Sequence, residues 1–381
     1  MSGPLAGVKV IELAGLGPAP FASMMLADLG AEVVRVERTK AVRGGNPDAP
    51  PVNVLGRGRR SIGVDLKSPG GVETILRLIE SADAFIEGFR PGVCERLGVG
   101  PDVCLERNPK LVYGRMTGWG QTGPYAERAG HDINYIALSG TLSMIGRRNE
   151  APVPPVNLVG DFGGGGMLLA VGVLAGVLQA RDSGAGQVVD AAMVDGSALL
   201  ASMMYGFKAM GLWDAGRGAN LLDTGAHFYD VFETADSRYI TLGGIEPQFY
   251  AEMLERLGID EEELGSQHDA NRWQKNTEII AARVREKTRD EWDEVFEGSD
   301  ACYAPVLEMT EASVHPHNVE RQTFVDIAGV TQPAPAPRFS ATPTAMPKPP
   351  AHAGQHTDEV LVDWGFSQVE IDDLRAEESI A

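Results

Sequence analysis

The chain of 381 residues holds only three cysteines, Cys94, Cys104 and Cys302. A set so small, odd in number and widely spaced supplies neither a disulfide framework nor a zinc knuckle. It reads as reduced thiols, and the expected location is the cytoplasm. Positive charge is also scarce, with 33 Lys and Arg against 53 Asp and Glu and a net charge of −20. A field of that sign argues against duplex nucleic acid and anionic membrane as partners. No basic segment precedes the first apolar stretch, which Glu12 interrupts, so no export signal is expected. The longest approach to a membrane span, Phe162 to Leu178, is seventeen uncharged residues with six glycines. It falls short of the ~20 residues a bilayer needs and is expected to be a buried core helix. Internal repeats are absent, and no histidine group offers a metal-ligand set: His315 and His317 flank a proline, and His352 and His356 lie beside a proline-rich stretch.

What remains is a globular composition, 43% apolar and 23% charged, at a length that suggests two or three domains. Charge is unevenly spread. Through Lys67 nine basic residues face six acidic ones, a section of +3 in a chain whose remainder is −23. Local donors of this kind suit a phosphorylated small molecule, and a solvated basic surface is the plain alternative.

Patterning divides the chain further. Val8–Glu12, Val33–Val36, Ser61–Val64, Ala84–Ile86, Leu111–Met116 and Gln187–Asp190 read as strands. Helical spacing falls between them, at Pro18–Leu29, Gly71–Ile79 and Phe162–Arg181. The alternation predicts an α/β fold with a parallel sheet covered on both faces. Ala191–Leu212 is a Met-rich helical arm whose Met203, Met204 and Met210 suit core or interface packing. From about Tyr229 a strand at Tyr239–Gly243 and acidic amphipathic helices at Pro247–Leu257, Asn271–Lys287 and Arg289–Phe296 predict a smaller α+β domain. Seven prolines in 333–350 make an extended connector, and Thr357–Glu378 is a helical tail with Leu361, Trp364 and Phe366 free to dock. The expected boundaries are 1–190 for the large domain, 191–228 for the arm, 229–305 for the small domain, 306–350 for a return linker and 351–381 for the tail.

Four constellations could carry chemistry. Gly15-x-Gly17-x-x-Pro20 follows the first strand, and Glu37 closes the second, as in a dinucleotide fingerprint. Proline stands where the third glycine belongs, so a tight structural turn is the favoured reading. Gly130-His131-Asp132-Ile133-Asn134-Tyr135 places four polar side chains after a glycine-rich loop, with His131 either catalytic or structural. Asp161 precedes Gly163 to Gly166 and can cap the helix that follows, while the glycines would let a ligand reach amides at a helix start. A helix dipole weakens a base there, so Asp161 would need partial burial to compensate. Glu246, at a strand-to-helix junction, is by itself a residue favoured near a helix start.

Several segments carry a resemblance. They are Gly3-Pro4-Leu5, Val10-Ile11-Glu12-Leu13-Ala14-Gly15, Leu26-Ala27-Asp28-Leu29-Gly30-Ala31, Asp65-Leu66-Lys67 and Arg90-Pro91-Gly92-Val93. To these add Gly130 to Tyr135, Gly160-Asp161-Phe162, Ile245-Glu246-Pro247-Gln248-Phe249-Tyr250 and Asp300-Ala301-Cys302. Over about residues 3 to 310 the chain resembles the α-methylacyl-CoA racemases of the class III CoA-transferase superfamily. The resemblance implies a Rossmann-like large domain that binds CoA, joined by extended linkers to the small domain in an interlocked homodimer. It implies His131 and Asp161 as bases on opposite sides of a substrate α-carbon, with Glu246 of the second subunit supporting His131. Its CoA contacts fall at Arg38, Val64, Asp65, Leu66, Lys67, Gly88, Phe89, Arg90, Arg96, Gly130, Asp132, Ile133, Asn134 and Tyr135. The basic section thereby gains a ligand, the CoA phosphates, through Arg38 and Lys67. His227 departs from the family, where proline is expected, and would bear on acyl-chain preference more than on chemistry.

The chemistry suits these groups. Racemising a 2-methylacyl thioester removes a proton from one face of the α-carbon and returns one on the other. Two groups that act as acid and base near neutrality suffice, the CoA being part of the substrate and no further cofactor or metal being called for. Rival readings are a class III CoA transferase with Asp132 as nucleophile, an NAD-dependent dehydrogenase resting on Gly15, Gly17 and Glu37, and a CoA-binding module without activity.

Overall fold

The structure, a computed structural model, describes residues 2–46, 48–50 and 52–381. The chain forms two compact units. The first takes the chain up to Ser139, then Val156–Leu200 and Arg321–Ala381; the second takes Gly140–Pro155 and Ala201–Glu320.

The first unit is built on six strands: β1 (Lys9–Leu13), β2 (Glu32–Glu37), β3 (Arg60–Gly63), β4 (Ala84–Glu87), β5 (Val112–Thr117) and β6 (Gln187–Ala192). All pair in parallel, in the order β3-β2-β1-β4-β5-β6. The strand order therefore reverses between β1 and β4, and the crevice at the carboxyl ends of those two strands is where open α/β sheets bind ligands. Side chains alternate between faces. Ile11, Leu13, Val34, Val36, Ile62, Phe85 and Tyr113 feed one core layer. Val8, Val10, Val33, Ala84, Ile86, Val112 and Met116 feed the other. Leu361 and Ile371 from the carboxyl-terminal helices Thr357–Asp363 and Gln368–Ala376, with Trp364 and Phe366 from the turn between them, lie in the first layer. Ile380 closes it by bridging to Val64.

The helix expected at Phe162–Arg181 is longer. A wide π-helical turn, Leu158–Met167, runs into the α-helix Leu168–Ser183. Together they make 26 residues, long and apolar enough by length and composition to cross a membrane. Leu169, Ala170, Val173, Val177 and Ala180 nevertheless pack into the second core layer. The glycines serve this packing. A Cβ on Gly164 would lie 2.6 Å from the Ser197 amide nitrogen, and one on Gly166 would lie 2.7 Å from Phe21 and the Pro18 carbonyl. They bring the helix against its neighbours rather than leaving room for a ligand, contrary to the expectation from sequence.

The basic section is also largely consumed inside the fold. Arg57 pairs with Asp28 at 2.6 Å, and both are buried. Arg59 pairs with Glu12, each almost fully enclosed. Arg60 holds Glu32, Glu359 and Asp363, and Arg35 meets Glu37 at 2.9 Å. Arg38, Lys40, Arg43 and Lys67 stay exposed, so the net +3 is not a patch of nine free cations.

The second unit holds an antiparallel sheet of Asp230–Glu233, Tyr239–Leu242 and Tyr303–Pro305. Helices Pro247–Leu257, Trp273–Val284 and Arg289–Phe296 pack on it around Phe228, Phe232, Ile240, Tyr250, Leu254, Ile280 and Trp292. The last helix opens on a capping box between Thr288 and Glu291. Two of these strands, and the hairpin Phe324–Ile327 with Val330–Pro333 in the first unit, lack an alternating pattern long enough to read from sequence.

Candidate active site

The site residues of the first unit follow strand ends. Gly15 and Gly17 follow β1, Arg38 follows β2, Val64 to Lys67 follow β3, Gly88 to Arg90 follow β4, and the loop after β5 leads to His131. All thus leave the sheet at its carboxyl edge, the edge that carries the crevice between β1 and β4.

His131 begins the helix Asp132–Leu138 and is exposed, its amide donating to Asn134 Oδ1 at 3.0 Å. Asp132 behaves in the opposite way. Its side chain is 6% exposed, Oδ1 accepts the Asp161 amide at 2.7 Å, and Oδ2 is enclosed without a partner. Gly160 has no room for a side chain, because a Cβ there would stand 2.5 Å from Asp132 Oδ1. Ile133 and Asn134 are exposed, while Tyr135 is buried, gives its hydroxyl to the Gly130 carbonyl and meets Trp119 edge-on at 4.7 Å.

Asp161 is not the helix cap. It lies within the first turn, and Asn157 precedes the helix. The Asn157 amide donates to Asp161 Oδ2 at 3.1 Å, and the backbone of Gly17 lies close beside that oxygen. Burial raises the Asp161 pKa above its ordinary value, and the charge of Asp132 adds to the rise. Asn157 and His131 oppose it. The partial burial that a base at a helix start requires is therefore present. Tyr135 titrates at about 12, raised by burial and by Asp161, with Arg90 pulling the other way. The structure thus brings Gly17, Arg90, His131, Asp132, Tyr135, Asn157 and Asp161 into one neighbourhood.

The remaining positions stand as follows. Arg38, Lys67, Gly88, Arg90 and Arg96 are exposed, Asp65, Leu66 and Phe89 are half-buried, and Val64 is buried. The 64–67 turn is tied down by Asp65 accepting the Lys67 amide at 3.0 Å and by its own amide on the Ser379 carbonyl at 2.9 Å. Glu246 belongs to the second unit, where it is the exposed N-cap of Pro247–Leu257. His227 lies wholly buried in that unit, between the core residues Ala226 and Phe228.

Two supporting residues escape sequence reasoning. Asn157 stands four positions before Asp161, a helical spacing that is visible only once the helix is known to start at Leu158. Glu87 closes β4 directly before Gly88 and is fully buried. It accepts from the Phe89 amide at 2.6 Å and from Arg115 Nε at 3.1 Å, yet burial raises its pKa to about 7. A hollow of about 840 Å³ lies elsewhere in the unit. Glu32, Arg60 and residues 345–352 line it, at the amino ends of β2 and β3.

A Rossmann-like six-stranded parallel sheet, with His131 and Asp161 on loops and helix starts beside its carboxyl edge, defines an α/β protein of the doubly wound class. The chain belongs to CoA-transferase family III, whose model matches residues 5–357. It is 47% identical to the α-methylacyl-CoA racemase of Mus musculus, covering 98% of this chain and 96% of that protein. It is 44% identical to the α-methylacyl-CoA racemase of Homo sapiens, covering 99% and 97%. A CaiB/BaiF family protein from Brucella suis superposes with a TM-score of 0.81 at 25% identity, covering 96% of this chain and all of that one.

Proposed function

We propose that the protein interconverts the (2R)- and (2S)-forms of 2-methylacyl-CoA thioesters by two-base proton transfer. The observation that carries this is the contrast across three residues. Asp132, the position a transferase would use as nucleophile, is turned inward with one oxygen engaged by the Asp161 amide. His131 beside it is exposed, and Asp161 is half-buried with its affinity for a proton raised. One base removes the α-proton, the thioester carbonyl becomes an enolate, and the other group returns a proton to the opposite face. Arg38 and Lys67, free of the pairing that engages Arg57 and Arg59, hold the CoA phosphates. The reaction needs no further cofactor, since CoA arrives with the substrate.

The working form on this reading is a homodimer in which Glu246 of one protomer supports His131 of the other. In its favour, Met167, Val171 and Leu178 form one stripe along Leu158–Ser183 and are 48%, 63% and 74% exposed. Three free thiols are in keeping with a cytoplasmic setting. The test is incubation of an optically pure 2-methylacyl-CoA in deuterium oxide. Loss of optical purity with α-deuterium incorporation supports the racemase. A covalent CoA thioester trapped on Asp132 with no exchange supports the transferase.

A further inference from the structure

We propose that His227 is a positioning residue for Glu246, acting through a hydrogen bond to Tyr250 that fixes the first turn of the helix Pro247–Leu257. The inference rests on the role given to Glu246 above.

Glu246 makes no side-chain cap bond, so what the fold holds in place is the backbone from which its side chain leaves. That backbone is pinned from inside the second unit. The Tyr250 amide donates to the Glu246 carbonyl at 2.9 Å, and the Tyr250 hydroxyl lies 2.8 Å from His227 Nε2. Directly before Glu246, the carbonyls of Gly244 and Ile245 accept from Gln267 Nε2 at 3.0 and 2.9 Å. His227, Tyr250 and Gln267 are 0%, 2% and 8% exposed, so the bond between His227 and Tyr250 is shielded from water and Gln267 is largely so. The rings lock further. His227, Phe228 and Tyr250 meet edge-on at 5.1 to 5.8 Å, and His268 meets Phe228 at 5.8 Å.

A buried histidine is a poor choice for packing alone. Its Nδ1 is enclosed with no partner, a cost that a carbon ring of similar shape would avoid. What the imidazole adds is the bond to Tyr250. The ring stays neutral at physiological pH, because burial and the neighbouring His268 hold its pKa down at about 4. The bond therefore persists across the working range. Glu261 also lies in the field of the Tyr250 hydroxyl and, with burial, raises its pKa to about 12.

The experiment compares Tyr250→Phe, His227→Phe, His227→Gln and Glu246→Gln in the full-length enzyme, assayed with one 2-methylacyl-CoA. Tyr250→Phe deletes a single oxygen and is the variant least disturbing to the fold. Loosening Glu246 should lower kcat about tenfold with KM unchanged. For the enantiomer that His131 deprotonates, the acid limb of kcat/KM should move to lower pH, because a carboxylate that favours the imidazolium has drifted away. His227→Gln, which keeps a polar end, should recover more of kcat than His227→Phe. Wild-type kcat and pH profiles in both Phe variants, beside a crippled Glu246→Gln, overturn this inference alone. A fully active Glu246→Gln overturns the role of Glu246 and the inference with it.

Discussion

Asp161 and Glu246, one carboxylate from each unit, are supported in different ways. Asp161 is half-buried, raised by that burial and by Asp132, and steadied through its own oxygen by Asn157. Glu246 is exposed, and its support reaches its own carbonyl through the Tyr250 amide and the two preceding carbonyls through Gln267. The difference matches the two roles proposed. A carboxylate that must take a proton from carbon gains from desolvation, whereas one that adjusts a neighbouring imidazole needs direction more than a shifted affinity.

The largest expected effect separates those roles. Asp161→Asn keeps the size of the side chain and removes the base, so racemisation should fall by about 10²–10⁴-fold. Glu246→Gln should cost less, about 10–10² in kcat, because the imidazole it supports remains. Equal losses in steady-state assays would erase the distinction. Asn157→Ala sharpens it from the other side. Losing a donor to the charged form raises the Asp161 pKa further, so the acid limb of the rate should move to higher pH with about a tenfold loss.

Smaller effects are expected away from the reacting groups. Arg38→Ala and Lys67→Ala should raise KM several-fold with kcat intact, and rising salt should weaken the wild type more than either variant. Glu87 gives a stability test. Its folded pKa of about 7 exceeds the ordinary carboxylate value, so its contribution is greatest at low pH and is lost as pH rises towards and through 7. Glu87→Gln should flatten that slope, seen as a change of a few °C in the Tm difference between about pH 5 and pH 8.

Much of the large unit was legible because buried parallel strands leave continuous apolar runs, as in Val33–Val36 and Ala84–Ile86. Strand ends came out within a residue or two of where the structure has them. Charge counting was less informative, since sequence cannot tell an arginine enclosed beside Glu12 from one left in water. The four glycines after Asp161 invited a ligand reading because close helix packing and ligand approach both call for glycine. The π-helical turn was invisible for a similar reason: apolar spacing in 162–181 suits a core helix and says nothing of how its first turn is wound. Asp132 was ambiguous until its carboxylate was found on the Asp161 amide, a contact between residues 29 positions apart.

The most direct measurement follows α-proton exchange separately for each enantiomer of a 2-methylacyl-CoA in deuterium oxide, with His131→Ala and Asp161→Ala enzymes. Two bases on opposite faces predict that each variant retains exchange with one enantiomer only, and that the favoured enantiomer switches between the two variants. The same enantiomer favoured by both, or normal racemisation in both beside an inactive Asp132→Ala, would contradict the two-base account.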